Sequence, residues 1–468
     1  MNLECTMQLQ NKNAIFNILG PILLNGISFF TMPVFTRLLG PAQYGIVAVF
    51  NTWVGILSII FGLQVQGSIG TAKAHLGNDS IKEYLSSILL LGLLFSVCCI
   101  FIGIVGEPFF SQLMMVSKNI YYLLGIQSVS TFVISFSSIA FVFYKKAQSS
   151  FLVNITAAVS TAALSIALIL YVFPPEQAYL GKILGMVIPN ALIALVVASY
   201  FIKKGHFSFS RNYIIFCLPI CLPLIFHGLS HIILGQSDRI MIQRMMSNQA
   251  TGLYSFMIVF SNVLTAIWGA LNNTWVPFYY DDLRAGKLDV IRRKSRHYIF
   301  IFSIIHIVFL LWAPEVIKLF APSTFWEAIP LLPLFVMSNY FTFMYSFPVN
   351  FQFYHKSTVS IAIGTVAAAL LNIGLNALWI PLFGLQGAAA ATLVAHIGLF
   401  LFQEFISAHV LHQAYHYNLK FFLPGICIVG IASILFFMID DFIWLRWVLG
   451  VVLSGVFFYN IYRRRSLF

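Results

Sequence analysis

Fourteen runs of about twenty apolar residues follow one another along the chain, separated by clusters of charge, proline and glycine. A hydrocarbon layer about 30 Å thick takes about twenty helical residues to cross, and within it every backbone N–H and C=O must be bonded internally. The runs therefore predict an all-α polytopic membrane protein with about 14 transmembrane helices. Their limits open at residues 14–38 and 45–67, pass 213–237 and 253–278 near mid-chain, and close at 358–380, 385–408, 420–439 and 442–461. No connection between runs can hold a nucleotide-hydrolysing domain, and no GxxxxGK[ST] loop occurs. Primary active transport by this chain alone is excluded. Residues 1–13 carry no small-residue cleavage site, so the first run is expected to be a retained span.

Orientation follows from the basic residues. With the N-terminus inside, 19 of the 26 Lys and Arg fall in cytoplasmic segments and 7 on the opposite face, while the 14 acids divide evenly. This is the asymmetry of the positive-inside rule, and both termini are expected to be cytoplasmic. The formal charge of +12 is then an orientation signal and a match to anionic lipid heads, with no nucleic acid implied. The connection at about residues 279–297 carries Arg292, Arg293, Lys294 and Arg296; it is expected to be the largest cytoplasmic loop, a solvated topogenic segment or a linker between bundles. Five of the six cysteines lie inside apolar runs and none forms a CxxC pair, so they are expected to be buried small hydrophobes, with no metal and no cofactor.

The chain also repeats itself. Arg37, two apolar residues and Gly45 eight residues on recur as Arg244, Met245, Met246 and Gly252 at an offset of 207. Gly181, after Ala178-Tyr179-Leu180, recurs as Gly387, after Gly384-Leu385-Gln386, at an offset of 206. Two matches at nearly one offset predict duplicated six-helix bundles around a central cavity, with two helices appended: residues 1–205, 206–418 and 419–468. If Arg244 stands where Arg37 does, the seventh span extends to it, and Asp238-Arg239 lies more than one turn inside its end. Ionised side chains within a span mark a functional site by default; an interfacial pair closing a shorter helix is the alternative.

The polar residues within the spans say what such a cavity can hold. Asn17, Asn25, Asn51, Gln64 and Gln66 lie in the first two spans, and His227, His231, Gln236, Asn262, Asn272 and Asn273 in the seventh and eighth. Amides hydrogen-bond sugars without imposing charge, and arginines grip phosphate oxygens bidentately. Asn25, Asn51, Gln66 and Asn273 are the amide candidates for an anionic, sugar-bearing substrate, although helix-to-helix hydrogen bonding is the commoner role of any one amide. No Asp or Glu lies in the apolar parts of spans one to six, which disfavours a cation exporter built on a buried carboxylate there. Histidines including His306 and His396 leave proton coupling open.

These residues resemble a known group. The segment Thr36 to Gly45 (TRLLGPAQYG), Ser237 to Ser255 (SDRIMIQRMMSNQATGLYS), Trp275 to Tyr280 (WVPFYY) and Gly384 to Thr392 (GLQGAAAAT) resemble the Wzx-type polysaccharide or O-antigen flippases of the multidrug, oligosaccharidyl-lipid and polysaccharide exporter superfamily. The resemblance covers the whole chain in length and span layout. It implies a MATE-like fold in the bacterial inner membrane and a transporter that turns undecaprenyl-pyrophosphate-linked oligosaccharide toward the periplasm, acting as a monomer and meeting polysaccharide polymerase machinery. Arg37, Asp238, Arg239 and Arg244 match the family's motif positions. Arg239 and Arg37 become the candidates for phosphate contact, Asp238 for holding an arginine, and Lys73, at the cytoplasmic end of span two, for first capture of the head group. The alternatives are a flippase for another lipid-linked precursor, of peptidoglycan or teichoic type, and a cation-coupled exporter on the same fold. An enzyme of glycan assembly would need a larger outward loop bearing a catalytic constellation.

Overall fold

The computed structural model describes residues 3–77, 80–411, 415–439 and 442–464, and among these there is helix and no strand. The helices are α1 (Leu3–Gly62), α2 (Ile69–His75), α3 (Ser80–Val105), α4 (Glu107–Met114), α5 (Lys118–Phe143), α6 (Ala147–Tyr171), α7 (Ala178–Lys204), α8 (Arg211–Met245), α9 (Asn248–Arg284), α10 (Leu288–Phe320), α11 (Leu332–Tyr354), α12 (Thr358–Phe405), α13 (Leu419–Ile439) and α14 (Ile443–Arg464). Twelve segments among the described residues are long and apolar enough to cross a membrane. Two of them count double. Helix α1 has 60 residues, about 90 Å at 1.5 Å per residue, three times the hydrocarbon thickness. Its backbone leaves the helical region at Gly40, with φ 61° and ψ 173°. Helix α12 does the same at Gly384, with φ 58° and ψ −135°. Positive φ with extended ψ is open essentially to glycine alone, so each glycine divides one continuous stretch into two spans. The count is then fourteen, in the chain order that the apolar runs predict.

The chain forms two compact units, Met1–Arg244 and Met245–Phe468. Helix α8 therefore packs with the first unit, whereas the duplication limit of 205/206 assigns it to the second half. In the first unit one apolar cluster joins Ile88, Phe132, Phe136 and Phe201 to Cys217 and Cys221 of α8. A second surrounds Phe50, Leu124 and Ile183 and reaches both sides of the Gly40 break through Phe35 and Val47. In the second unit the packing is aromatic. Phe302 and Phe343 lie 4.2 Å apart, and His306 sits against Phe302 at 4.6 Å and Tyr340 at 5.0 Å.

The offsets of the internal repeat carry Gly40 onto Ser247 and Ala178 onto Gly384. Each is a helix junction. Ser247 is the N-cap of α9, its hydroxyl accepting from the Ala250 N–H at 3.1 Å, and Ala178 opens α7 after a short 3-10 turn. Gly181 and Gly387 are both points of close approach, the first to the backbone of Ile169 and the second to the Trp379 carbonyl.

The basic run at 292–296 is a correction. It is neither loop nor linker, but lies in the first turns of α10, inside the second unit. The connection shrinks to Ala285–Lys287 because Gly286, with φ 67°, ends α9 in a left-handed turn: the Gly286 N–H bonds to the Leu283 carbonyl and the Lys287 N–H to the Asp282 carbonyl. Arginine and lysine are good helix formers, and hydropathy cannot distinguish a charged helical turn from a loop.

Candidate functional site

The TRLLGPAQYG segment builds the first part of the site around its glycine. Arg37 is exposed three residues before the Gly40 break. Gln43, just after it, ties this break to the junction between α6 and α7: its Nε2 donates to the Pro175 carbonyl at 2.6 Å, and its Oε1 accepts from the Tyr179 N–H at 2.7 Å. One amide thus satisfies two backbone groups that a helix end leaves open. Tyr44 follows, half-buried.

Helix α8 is 35 residues long, about 50 Å, and Asp238 and Arg239 lie more than one turn from its end. Both are buried, at 1% and 9% exposure. Arg239 Nη1 donates to Gln236 Oε1 at 3.3 Å, one turn back. Adjacent buried charges in a span are costly unless each is paired or hydrogen-bonded, and Asp238 and Arg239 also carry interactions beyond that contact. Arg244, the last basic group of α8, donates through Nη2 to the Leu113 carbonyl at the end of α4. It fastens α8 to α4, with the side chain exposed.

Span two breaks next to α8. Leu63 and Gln64 take left-handed backbone angles, φ 48° and 51°, a conformation costing about 1–2 kcal/mol for a residue with a side chain. A 3-10 turn, Val65–Ser68, and the short α2 follow. The break is held by side chains: the Tyr84 hydroxyl donates to Ser68 Oγ at 2.6 Å, Ser68 Oγ donates to the Val65 carbonyl at 2.7 Å, and Ser68 also meets Cys217 Sγ at 3.4 Å. Gln66 Nε2 donates to Gln64 Oε1 at 2.5 Å. The Gln64 amide lies over Gly228 of α8, where any Cβ would come within 2.6 Å of it. Asn51 is exposed one turn before Gly55, which packs on Ile232 of α8. His227 and His231, four residues apart on α8, are exposed as well. Lys73, in the last turn of α2, holds its Nζ 5.7 Å from the centre of the Tyr144 ring. The side chain of Asn25, within α1, lies outside the described residues.

The structure thus brings Arg239 to Gln236 and Gln66 to Gln64, and leaves Arg37 and Asn51 exposed on the same unit. Asn273 belongs to the other unit, exposed on α9, while its neighbour Asn272 accepts from Asn350 Nδ2 at 2.9 Å and joins two helices. That unit also holds a buried polar chain outside the sequence candidates: Asn376 donates to Asn372 at 3.0 Å, Asn372 to Thr392 Oγ1 at 3.3 Å, and Thr392 meets the Tyr254 hydroxyl at 3.2 Å. Two asparagines four apart in an apolar helix were its available signal. Gln43 and the Gln64 break were also missed; Gln-x-Gln-Gly at 64–67 is the trace they left. Among the described residues no three His, Cys, Asp or Glu side chains converge as a metal site requires.

Comparison with known proteins agrees with this arrangement. The fold is shared with the solved lipid II flippase MurJ in an inward closed conformation, at TM-score 0.70 and 15% identity over 96% of this chain and 99% of that one. It is shared also with an inward-facing multidrug resistance MATE family transporter of the MOP superfamily, at TM-score 0.62 and 16% identity over 86% and 99%. An Lsg locus protein of Haemophilus influenzae is 24% identical over 372 residues, 77% of this chain and 89% of that protein. A second protein of that organism, described as a membrane protein, is 24% identical over 379 residues, 78% and 88%. A sequence model described as polysaccharide biosynthesis protein matches residues 11–279. This multi-pass membrane chain therefore belongs to the polysaccharide biosynthesis protein family.

Proposed function

We propose that the chain flips an undecaprenyl-pyrophosphate-linked oligosaccharide from the cytoplasmic to the periplasmic leaflet of a bacterial inner membrane, for O-antigen, capsule or related glycan assembly, by alternating access between two duplicated bundles. The observation that carries this reading is the buried Asp238-Arg239 pair deep in α8 of a family member, the helix whose Gly228 meets the span broken at Gln64. A charged pair is retained inside a span where it meets charge in turn, and a lipid-linked sugar supplies that charge as pyrophosphate. Arg239 and Arg37 would contact the phosphates, Asp238 would orient Arg239, and Arg244 would hold α8 in place through α4. Lys73 would meet the head group first, and Asn51, Gln66, Asn25 and Asn273 would bond sugar hydroxyls. The carrier works as a monomer with both termini cytoplasmic and hands its product to polymerising machinery. The domain limits 1–205, 206–418 and 419–468 belong to the same proposal, as the traces of duplication and of the appended pair.

The likeness to a lipid II flippase over nearly the whole chain favours, as a second reading, another lipid-linked precursor on the same pathway through the protein. The test is reconstitution into liposomes holding a fluorescent undecaprenyl-pyrophosphate oligosaccharide or lipid II, following access to an external quencher. Protein-dependent movement of the oligosaccharide that Arg239→Ala abolishes supports the first reading. Movement of lipid II alone moves the assignment to the second, and uptake of a soluble cation with neither lipid moved overturns both.

A further inference from the structure

The start of α10 presents a charged face for which the transport reading has no use. Because the run at 292–296 is helical, its cations separate. Lys294 turns to α9 and pairs with Asp282 at 2.6 Å. Arg292, Arg293 and Arg296 share the other face at three- and four-residue spacing. With His297, Phe300 and, from α14, Asn460 they line a cavity of about 630 Å³.

Asp289 is the one acid in that lining, and none of the three arginines forms an ion pair among the described residues. Arg292 Nε is buried with no hydrogen-bond partner. Arg296 lies over the Phe421 ring at 5.7 Å. Three like charges on two successive turns of one helix face repel one another. An anion in the cavity adds an attraction to each arginine that offsets this repulsion.

The cavity is also firmly built and lies at the edge of the apolar layer. Near their other ends α10 and α14 are fastened together: buried Arg446 grips Glu315 through two nitrogens, at 2.6 and 3.3 Å, Trp312 packs on Trp447 at 5.5 Å, and Gly450 admits the Trp312 ring. Both helices are spans, and the cavity lies at the N-terminal end of the first and the C-terminal end of the second. The arginines thus sit at the charged rim, while Phe300 and the exposed Phe458 and Tyr459 of α14 continue into apolar surface. A ligand that suits this place has an anionic head and an apolar body. The sequence adds Arg463, Arg464 and Arg465 directly after α14's last apolar turn.

We propose that this cavity binds the phosphate head group of an anionic glycerophospholipid of the cytoplasmic leaflet, such as phosphatidylglycerol or cardiolipin, with Arg292, Arg293 and Arg296 on the phosphate and the acyl chains along α14. Basic recesses between spans on the cytoplasmic side take such heads, each cation near the surface strengthening the attraction. The polyprenyl pyrophosphate of the cargo has the same phosphate chemistry, and the experiment distinguishes the two.

The full-length protein, in nanodiscs of neutral lipid, is titrated with fluorescent phosphatidylglycerol, phosphatidylcholine and undecaprenyl pyrophosphate. Two variants remove equal charge from the same end of the unit: Arg293→Gln/Arg296→Gln inside the cavity, and Arg284→Gln/Lys287→Gln, exposed and outside it. Phosphatidylglycerol should bind wild type at least ~10-fold more tightly than phosphatidylcholine. The cavity variant should lose about 10-fold for phosphatidylglycerol, while the outer variant stays within about 2-fold. Equal binding of the two glycerophospholipids, equal loss in both variants, or a loss confined to undecaprenyl pyrophosphate each overturns the proposal. The readout is binding alone, so its failure is separate from that of the transport reading.

Discussion

The two compact units answer the same structural problems differently, and the repeat offset allows them to be compared position by position. In the first unit the span-one to span-two junction is the Gly40 break, joined to the span-five to span-six junction by the polar clamp of Gln43. At the offset positions the span-seven to span-eight junction, from α8 of the first unit to α9 of the second, is an ordinary capped turn at Ser247, and the later junction is the break at Gly384, against which the Met246 side chain packs. The glycine has changed places and the contact has changed from polar to apolar. The span after the first junction also differs. It is broken at Leu63 and Gln64 in the first unit, whereas α9 runs unbroken through the equivalent Ala270 and Leu271 to Arg284. A broken span exposes unpaired backbone groups and polar side chains, tolerated at membrane depth only where protein or a wet cavity satisfies them. The first unit's junction and broken span are thus held by polar side chains, whereas the equivalent positions 207 residues on are a capped turn and an unbroken helix.

This contrast can be broken experimentally. The largest effect is expected at Arg239. Its replacement by alanine should lower flipping about 100-fold in the liposome assay, since removing one partner of a buried charge pair costs about 2–5 kcal/mol. Asn273→Ala, on the exposed face of α9, should lower it by about 10-fold or less, consistent with the loss of about 1 kcal/mol for one neutral hydrogen bond. Equal effects would remove the functional asymmetry.

The ion pairs give the next largest difference, read by thermal unfolding in detergent. Arg446→Ala leaves the Glu315 carboxylate without its buried partner and should destabilise the second unit by about 3 kcal/mol. The first unit's Lys118–Glu107 pair spans 3.5 Å, with the lysine side chain 64% exposed, and Lys118→Ala should cost about 0.5 kcal/mol at most. A Gln43→Ala variant should fall between these, at about 1–2 kcal/mol, because it leaves the Tyr179 N–H and the Pro175 carbonyl without their amide. The equivalent residue in the second unit is Ala250, so no corresponding loss exists there.

The smallest expected effect has the sharpest sign. Gln64→Asn keeps an amide and suits a left-handed backbone, so its stability should stay within about 0.5 kcal/mol of wild type. Leu271→Asn, at the matching place in an unbroken helix, should cost about 1–2 kcal/mol from helix propensity and lost apolar contact. Equal losses would show that span two is helical through Gln64 in solution.

Much of this was legible before the fold. Span positions and the depth of Asp238-Arg239 followed from apolar run length and the match of Arg244 to Arg37. What the sequence obscured was direction. Arg37 and Arg244 stand at equivalent places, yet one is exposed before a glycine break and the other bonds the Leu113 carbonyl. Lys294 and Arg293 are neighbours, yet one faces Asp282 and the other a cavity. Hydropathy averages over a window and cannot see which way a helical residue points.

Sequence alone therefore determined the number and order of the spans, because lipid leaves the backbone no alternative to internally bonded helix and the length of each apolar run is set by membrane thickness. It determined the family as well, through motifs at helix junctions. Tertiary structure decided that α8 packs with the first unit, that span two breaks at Gln64, and that three arginines of one short run share a cavity. Those outcomes depend on which side chains meet across helices, and contacts between residues far apart in the chain leave no periodic trace in it.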